Sequence, residues 1–290
     1  SPLFEEIKEN PPDVIFNMME VFNDQTHLEK NLAALLEIVG LPFTGSSSGL
    51  LYVCNNKALH KKILNYHRIK VPRFHDFVRG SKVSLPPKFN LPAIIKPLCE
   101  EASRGISQAS IVETPEAFIE RVKFIQQNMG MDAIAEEYVE GRELYVTVTG
   151  FRSLMVLPPR EMVFKKMAQD QPHIATYKAK WDDKYRERWG IDSLPAKGLD
   201  KAILKKIDDI CRRAYKALDA RSYLRFDMRL TPEGEVYIIE PNANPCIARI
   251  DEMAQSAKLA GMDYPELIQG VLDQAIAMNQ QARLKKKAKK

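Results

Sequence analysis

Two strand-like runs, Ser222-Tyr223-Leu224-Arg225-Phe226-Asp227-Met228-Arg229-Leu230 and Glu235-Val236-Tyr237-Ile238-Ile239-Glu240-Pro241-Asn242, flank Thr231-Pro232-Glu233-Gly234, whose proline and glycine read as a turn. This hairpin constrains the chain more than any other feature. Pairing Leu230 with Glu235 sets Asp227 opposite Ile238 and Arg225 opposite Glu240. Side chains alternate faces along a strand, so Arg225, Asp227, Ile238, Glu240 and Asn242 are expected on one face. Asp227 and Glu240 then become diagonal neighbours at roughly 7–8 Å or less, within reach of a shared ion or ion pair. Two carboxylates and an amide oxygen are hard donors that suit Mg2+. A bulge would break this register. Taken singly, Asp227 could pair with Arg225 or Arg229, and Glu240 could cap the strand end. As a set of acids within apolar strands they favour function, because an unpaired buried carboxylate is costly.

At 290 residues, with about 150 residues per domain, the chain should hold about two domains and bury a sizeable core. Hydrophobic residues at 45% and charged residues at 28% exclude a disordered or collagenous chain. Cys54, Cys99, Cys211 and Cys246 form no CxxC pair, which argues against a zinc ribbon or a disulfide framework. The five histidines form no spaced ligand set either. No apolar run approaches the roughly 18 residues of a membrane span, and the first residues are not a signal peptide, so a cytoplasmic protein with no membrane partner is expected. The net charge of +5 is concentrated in Arg283, Lys285, Lys286, Lys287, Lys289 and Lys290. The rest of the chain is close to neutral, and nucleic acid is not an expected partner.

Asp13-Val14-Ile15-Phe16-Asn17 reads as a buried parallel strand. A helix follows with Leu28, Leu32, Leu35, Leu36 and Val39 on one face, Asp24 as its cap and Gly40 as its stop. Leu41 to Gly49 is expected to be a loop, and a second helix runs from Lys57 to about Lys70. Lys96 ends an apolar strand closed by Pro97. The polar stretch Leu98 to Gly105 precedes a strand through Ile111 and a helix opened by Thr114-Pro115 and closed by Gly130. Ala133 to Val139 and Glu143 to Thr149 read as strands around a Glu140-Gly141-Arg142 turn, and Asp200 opens a helix striped by Ile203, Ile207, Ile210, Ala214 and Leu218.

From Asp13 to about residue 275 the sequence resembles the ATP-grasp superfamily, specifically the D-alanine–D-alanine ligase family. Leu41-Pro42-Phe43-Thr44-Gly45 is similar to the family's Leu-Pro-Tyr-Thr-Gly loop, Asn56-Lys57 to the lysine opening its central domain, and Ile95-Lys96-Pro97 to its strand lysine. Ser103-Arg104-Gly105-Ile106 resembles the end of the phosphate loop. Glu136-Glu137-Tyr138-Val139-Glu140-Gly141-Arg142-Glu143-Leu144 resembles the adenine hinge and ribose carboxylate, while Lys180, Arg225, Asp227, Glu240 and Asn242 match the lysine and metal positions.

The resemblance implies an α/β (α+β) ATP-grasp fold with two α+β subdomains sandwiching a nucleotide, preceded by a truncated parallel-sheet domain. The expected boundaries are 1–55, 56–139, 140–282 and a basic tail at 283–290. It implies ATP and Mg2+, with Mn2+ as the alternative metal. Lys57 and Lys96 would meet the phosphates, Glu136, Glu137, Tyr138 and Val139 the adenine, and Glu143 the ribose; Asp227, Glu240 and Asn242 would hold the metal, and Arg225, Lys180 and Ser103 would be catalytic. The implied reaction is amide formation from small-molecule or peptide carboxylate and amine substrates through an acyl phosphate, with the Leu98–Gly105 loop as a lid, in a homodimer. The alternative is a nucleotide-binding or scaffold protein that has lost ligase activity.

The substrate end departs from that pattern. Ala102 and Trp181 stand where the family has the serine and tyrosine that orient its first D-alanine, and Cys246 replaces an oxyanion-site glycine. Arg249, Asp251 and Glu252 follow where the acceptor pocket is expected. A substrate other than D-alanine is therefore expected.

Overall fold

A four-stranded and a six-stranded antiparallel sheet bound the cleft that organises the chain. The computed structural model describes residues 2–21, 25, 28–100, 102–151, 153–168 and 172–287. In order, the elements are α1 (Pro2–Glu9), α2 (Glu29–Val39), α3 (Ser48–Asn55), α4 (Lys57–Tyr66), β1 (Phe74–Phe77), β2 (Ala93–Pro97) and β3 (Ile111–Val112). Then come α5 (Pro115–Asn128), β4 (Ala133–Glu137), β5 (Arg142–Thr149), β6 (Met155–Val156), β7 (Arg160–Phe164), α6 (Tyr177–Trp181) and α7 (Asp183–Trp189). The remainder is β8 (Ile191–Pro195), α8 (Lys201–Ala217), β9 (Tyr223–Leu230), β10 (Val236–Asn242), α9 (Glu252–Leu259) and α10 (Tyr264–Lys287).

The first sheet runs β1-β4-β2-β3. Strand alternation turns Ala93, Ile95, Ala133 and Ala135 toward Phe118, Val122 and Ile125 of α5, whose Thr114 cap accepts from Ala117 N at 3.2 Å. It leaves Ile94, Lys96, Ile134 and Glu136 for the other face, where Ala58 of α4 packs on Ile134. The second sheet runs β10-β9-β5-β7-β8, with the short β6 paired to β5 as its sixth strand. Leu144, Val146, Phe226 and Met228 pack on Ile207, Ile210 and Ala214 of α8, a helix capped by Asp200 accepting from Ile203 N at 2.8 Å. Glu143, Tyr145, Arg225, Asp227 and Arg229 take the opposite parity and face the cleft.

Several expectations need correcting. The 13–17 strand reduces to one parallel bridge, Ile15 to Phe43. Asp24 lies outside the described residues, as do residues 288–290 and the side chains of 282–287 in the basic tail; Leu28 is the N-cap of α2 and makes no side-chain cap bond. Ser48 and Gly49 are not loop: they open α3, whose Ser47 cap accepts from Leu50 N at 3.2 Å. β4 and β5 do not form a hairpin but belong to different sheets. Gly141, at φ +144°, passes the end of β9 so closely that a Cβ would lie 2.2 Å from Leu230 O, which ties this crossover to glycine.

The hairpin register also differs. Leu230 pairs with Val236 and Met228 with Ile238, one residue away from the expectation. That register alone would turn Glu240 to the face of Phe226, away from Asp227. A bulge between Ile238 and Glu240 adds the missing residue and sets Glu240 opposite Asp227 and Asn242 opposite Arg225. Ile238 is consequently in the core with Met228, not on the site face.

Candidate active site

Lys57, Lys61, Lys96 and Glu136 are each no more than 3% exposed. Lys57 opens α4 beside its Asn56 cap, and Lys61 lies one turn on, so both ammonium groups share a helix face. Lys61 and Lys96 reach Glu136 at 3.2 and 2.9 Å, and Lys57 reaches Glu240 at 3.4 Å. Lys57 also donates to Glu100 O and Lys61 to Ile239 O. Burial works to raise both acids, but the surrounding lysines outweigh it: Glu136 is held below the usual carboxylate range, and Glu240 at about 2. Burial dominates at Lys61 and brings it to about 8 despite Glu136. His60, between the two α4 lysines, has both ring nitrogens buried without a hydrogen-bond partner. Burial, then Lys61, Lys57 and Lys96, push it well below its ordinary value, so it is neutral.

Across the cleft, Arg225 grips Asp227 with two bonds of 2.8 and 3.2 Å and reaches Glu252 at 3.4 Å. Lys180 of α6 stands 3.7 Å from Asp227, and both cations lie over the Tyr145 ring. Burial raises the Asp227 carboxyl against the pull of Arg225 and Lys180. Asp227 and Glu240 face each other in the ladder, and Asn242, next on the same face of β10, has a buried Nδ2 with no partner. Among the described residues no group of three His, Cys, Asp or Glu could hold a metal. A divalent ion here would have Asp227 and Glu240 with the Asn242 amide oxygen beside them, and two carboxylates plus an amide fit a hard cation.

The nucleotide-end residues line a slot between the sheets: Lys96, Glu136, Glu137, Tyr138, Val139 and Glu143. The Glu137 carboxylate accepts from Asn90 N at 2.8 Å, and Tyr138 N donates to Pro92 O at 2.9 Å. Glu143 is held by Arg229 at 2.8 Å and by the Tyr145 hydroxyl at 3.0 Å. The slot is narrow, at about 70 Å³. Ser103, Lys180 and Glu240 line both this slot and a wider cavity of about 440 Å³. That cavity extends past Arg225 and Asn242 to Glu20, Cys246, Asp251 and Glu252. Arg249 does not face it, being exposed and stacked on Tyr264 at 4.5 Å. The Cys246 thiol is pushed up to about 11 by burial and by its bond with Asp251, so it is no ready nucleophile.

Lys61 is absent from the sequence reading, and Arg229 enters it only as a possible partner of Asp227, whereas it pairs with Glu143. Lys61 carried a signal, its i+4 spacing from Lys57, and Arg229 carried another, its parity with Asp227 on β9.

The family described as D-ala D-ala ligase C-terminus matches residues 62–273. An uncharacterised Sinorhizobium fredii protein is 28% identical over 91% of this chain and 77% of its own length. A D-alanine–D-alanine ligase of Desulforudis audaxviator is 28% identical over 81% of this chain and 73% of its own. Among solved structures, the D-alanine–D-alanine ligase of Bacillus anthracis complexed with ATP superposes with a TM-score of 0.73 at 20% identity, covering 97% of this chain and 84% of that one. The VanG D-Ala:D-Ser ligase of Enterococcus faecalis gives 0.75 at 20% identity, covering 91% and 73%. The fold is therefore the ATP-grasp fold.

Proposed function

Because this chain belongs to the D-alanine–D-alanine ligase family, matching its C-terminus over residues 62–273, we propose that it is an ATP-dependent carboxylate–amine ligase working through an acyl phosphate. The observation that carries this reading is the bulged β9–β10 ladder, which sets Asp227 against Glu240 within reach of Lys57, Lys180 and Arg225.

In this reading the slot takes the adenosine, with Val139 and Tyr138 at the base and Glu143 at the ribose, and residues 56–139 and 140–282 are the two halves that close on it. Lys57, Lys96 and Lys180, which rest on carboxylates in the free protein, turn to the phosphates when these arrive. Asp227, Glu240 and Asn242 would hold Mg2+, or Mn2+ as the alternative. A divalent ion there offsets the repulsion between an attacking carboxylate and the γ-phosphate. Arg225, bonded to Asp227 and lining the wider cavity, would steady the oxyanion formed when an amine attacks the acyl carbon. Ser103, lining both cavities, faces the transferred phosphoryl group. The loop over the site keeps water from the acyl phosphate.

The substrates belong to the wider cavity, whose charged lining from Arg104 and Arg186 to Glu20 and Asp251 differs from what an alanine methyl requires. The acid and amine are accordingly other than two D-alanines. The test is ADP release by the full chain with Mg·ATP and a panel of amino-acid and peptide pairs, with products identified by mass. ADP with an amide other than D-alanyl-D-alanine is the expected result. Formation of D-alanyl-D-alanine would overturn the substrate assignment. No turnover with any pair, together with no rise in Tm on adding Mg·ATP, would overturn the ligase.

A further inference from the structure

We infer that Lys61 is a positioning residue for the paired carboxylates: from α4 its ammonium holds the backbone carbonyl of Ile239, the residue that the β10 bulge inserts, and so fixes the bulge that sets Glu240 opposite Asp227. The inference rests on the nucleotide-binding reading only for what those carboxylates hold.

Among the described residues β10 is an edge strand, paired with β9 on one side and with no strand on the other. A bulge there has no second ladder to hold its shape. Ile239 has no counterpart on β9, for it lies between Ile238 opposite Met228 and Glu240 opposite Asp227. Strand alternation would put Ile239 and Glu240 on opposite faces, yet both line the slot. Support comes from α4 and the chain just after it. Ile238 N donates to Lys70 O at 2.9 Å, Ile239 O accepts from Lys61 Nζ, and the Glu240 carboxylate lies 3.4 Å from Lys57. Consecutive residues of β10 are thus held from one side, and Lys57 and Lys61, one turn apart on α4, take adjacent ones.

Neutralising Glu136 does not explain Lys61. Lys96 already meets that carboxylate at 2.9 Å, and the fully buried Lys61 brings a second cation to the same acid at 3.2 Å. A buried ammonium is costly unless its donors are used, and the bond that Lys61 makes beyond Glu136 is the one to Ile239 O. Glu136 belongs to the four-stranded sheet and Ile239 to the six-stranded sheet. The lysine therefore spans both walls of the cleft beside the point where the two acids meet.

The test uses the full chain with Lys61→Met, and Lys62→Met as control, since Lys62 is exposed and pairs with Asp76 at the surface. Glu136 keeps Lys96 in K61M, which is therefore expected to fold. Lys61→Gln, uncharged and one bond shorter but still able to donate to Glu136, makes the same comparison should it not. The chain has two Ile-Glu pairs, Ile119-Glu120 on α5 and Ile239-Glu240 at the bulge. Carbonyl-labelled isoleucine with nitrogen-labelled glutamate therefore gives one carbonyl–amide NMR peak for each. Without nucleotide, K61M is expected to shift the bulge peak and to speed solvent exchange of the Glu240 amide about ten-fold, the population change that loss of a hydrogen bond to a charged group gives. The Glu120 peak should stay as in wild type. With nucleotide, the tightening of AMP-PNP that Mg2+ brings is expected to shrink about ten-fold in K61M, with K62M like wild type. The sign separates positioning from charge, because removing a nearby cation would by itself favour a divalent ion at the carboxylates. Unchanged exchange at Glu240, or equal acceleration at Glu120, would overturn the inference, as would an Mg2+ effect in K61M as large as that of wild type or larger. A wild type that binds no AMP-PNP would defeat the nucleotide reading, and the nucleotide-free exchange would still decide the role of Lys61.

Discussion

The two ends of the cleft treat charge in opposite ways. At the phosphate end, Lys57, Lys61, Lys96 and Glu136 are buried, and with the half-buried Glu240 they are held in mutual ion pairs before any ligand arrives. At the outer end, Arg104, Arg186, Glu20 and Asp251 line the wider cavity, and among the described residues none of them makes an ion pair within 4.0 Å. Buried charges must be paired to be tolerated, whereas half-solvated ones need no partner. The phosphate end is thus preorganised for a fixed ligand, and the outer end is free to set which substrates enter.

This contrast predicts the largest loss of stability at the phosphate end. Glu136→Gln leaves Lys61 and Lys96 buried without their common counter-ion and should cost about 3–5 kcal/mol, read from urea unfolding. Next comes Lys57→Met. Loss of a charge-assisted contact to phosphate should weaken Mg·AMP-PNP about ten-fold or more and leave AMP unaffected, measured by calorimetric titration.

Acid should act on the same end. The folded pKa of Glu240, about 2, lies below its ordinary value of 4.5, so the unfolded chain takes up the proton first. The stabilisation is present above about pH 4.5 and drains away as pH falls toward 2, and Glu240→Gln should flatten that limb of a stability–pH profile. Lys61, at about 8 against 10.5, is a depressed cation. Its contribution therefore works against the fold below pH 8 and lifts as pH rises from 8 toward 10.5; Lys61→Met should remove that rise. The smallest effects belong to the outer cavity, where Arg186→Ala and Asp251→Asn should change stability by no more than about 0.5 kcal/mol and leave AMP-PNP affinity unchanged.

Local signals in the chain were reliable where one residue type decides the geometry. Gly40 stops α2 at φ +77°, and Asp200 caps α8. They were weaker where distant backbone decides. Nothing in Ile238-Ile239 marks a bulge, yet without it Asp227 and Glu240 would lie on opposite faces. The two acids do converge, but directly across the ladder rather than diagonally. Glu140-Gly141-Arg142 looks like a hairpin turn because the packing that demands its glycine comes from Leu230, far along the chain. Helix α3 is hard to read from the sequence although Ser47 is an ordinary cap, since the neighbouring serines and glycines point to a loop. The middle region, with α6 and its Trp181, offers no periodicity, and its order comes from contacts with the loop and the cleft.

The most direct test is a titration of the full chain with AMP-PNP, with and without Mg2+, in wild type and in Asp227→Asn/Glu240→Gln. Wild type should bind the nucleotide more tightly with Mg2+, and the double variant should lose that difference. A wild type indifferent to Mg2+, or a double variant that keeps the full dependence, would contradict the assignment of the β9–β10 carboxylates.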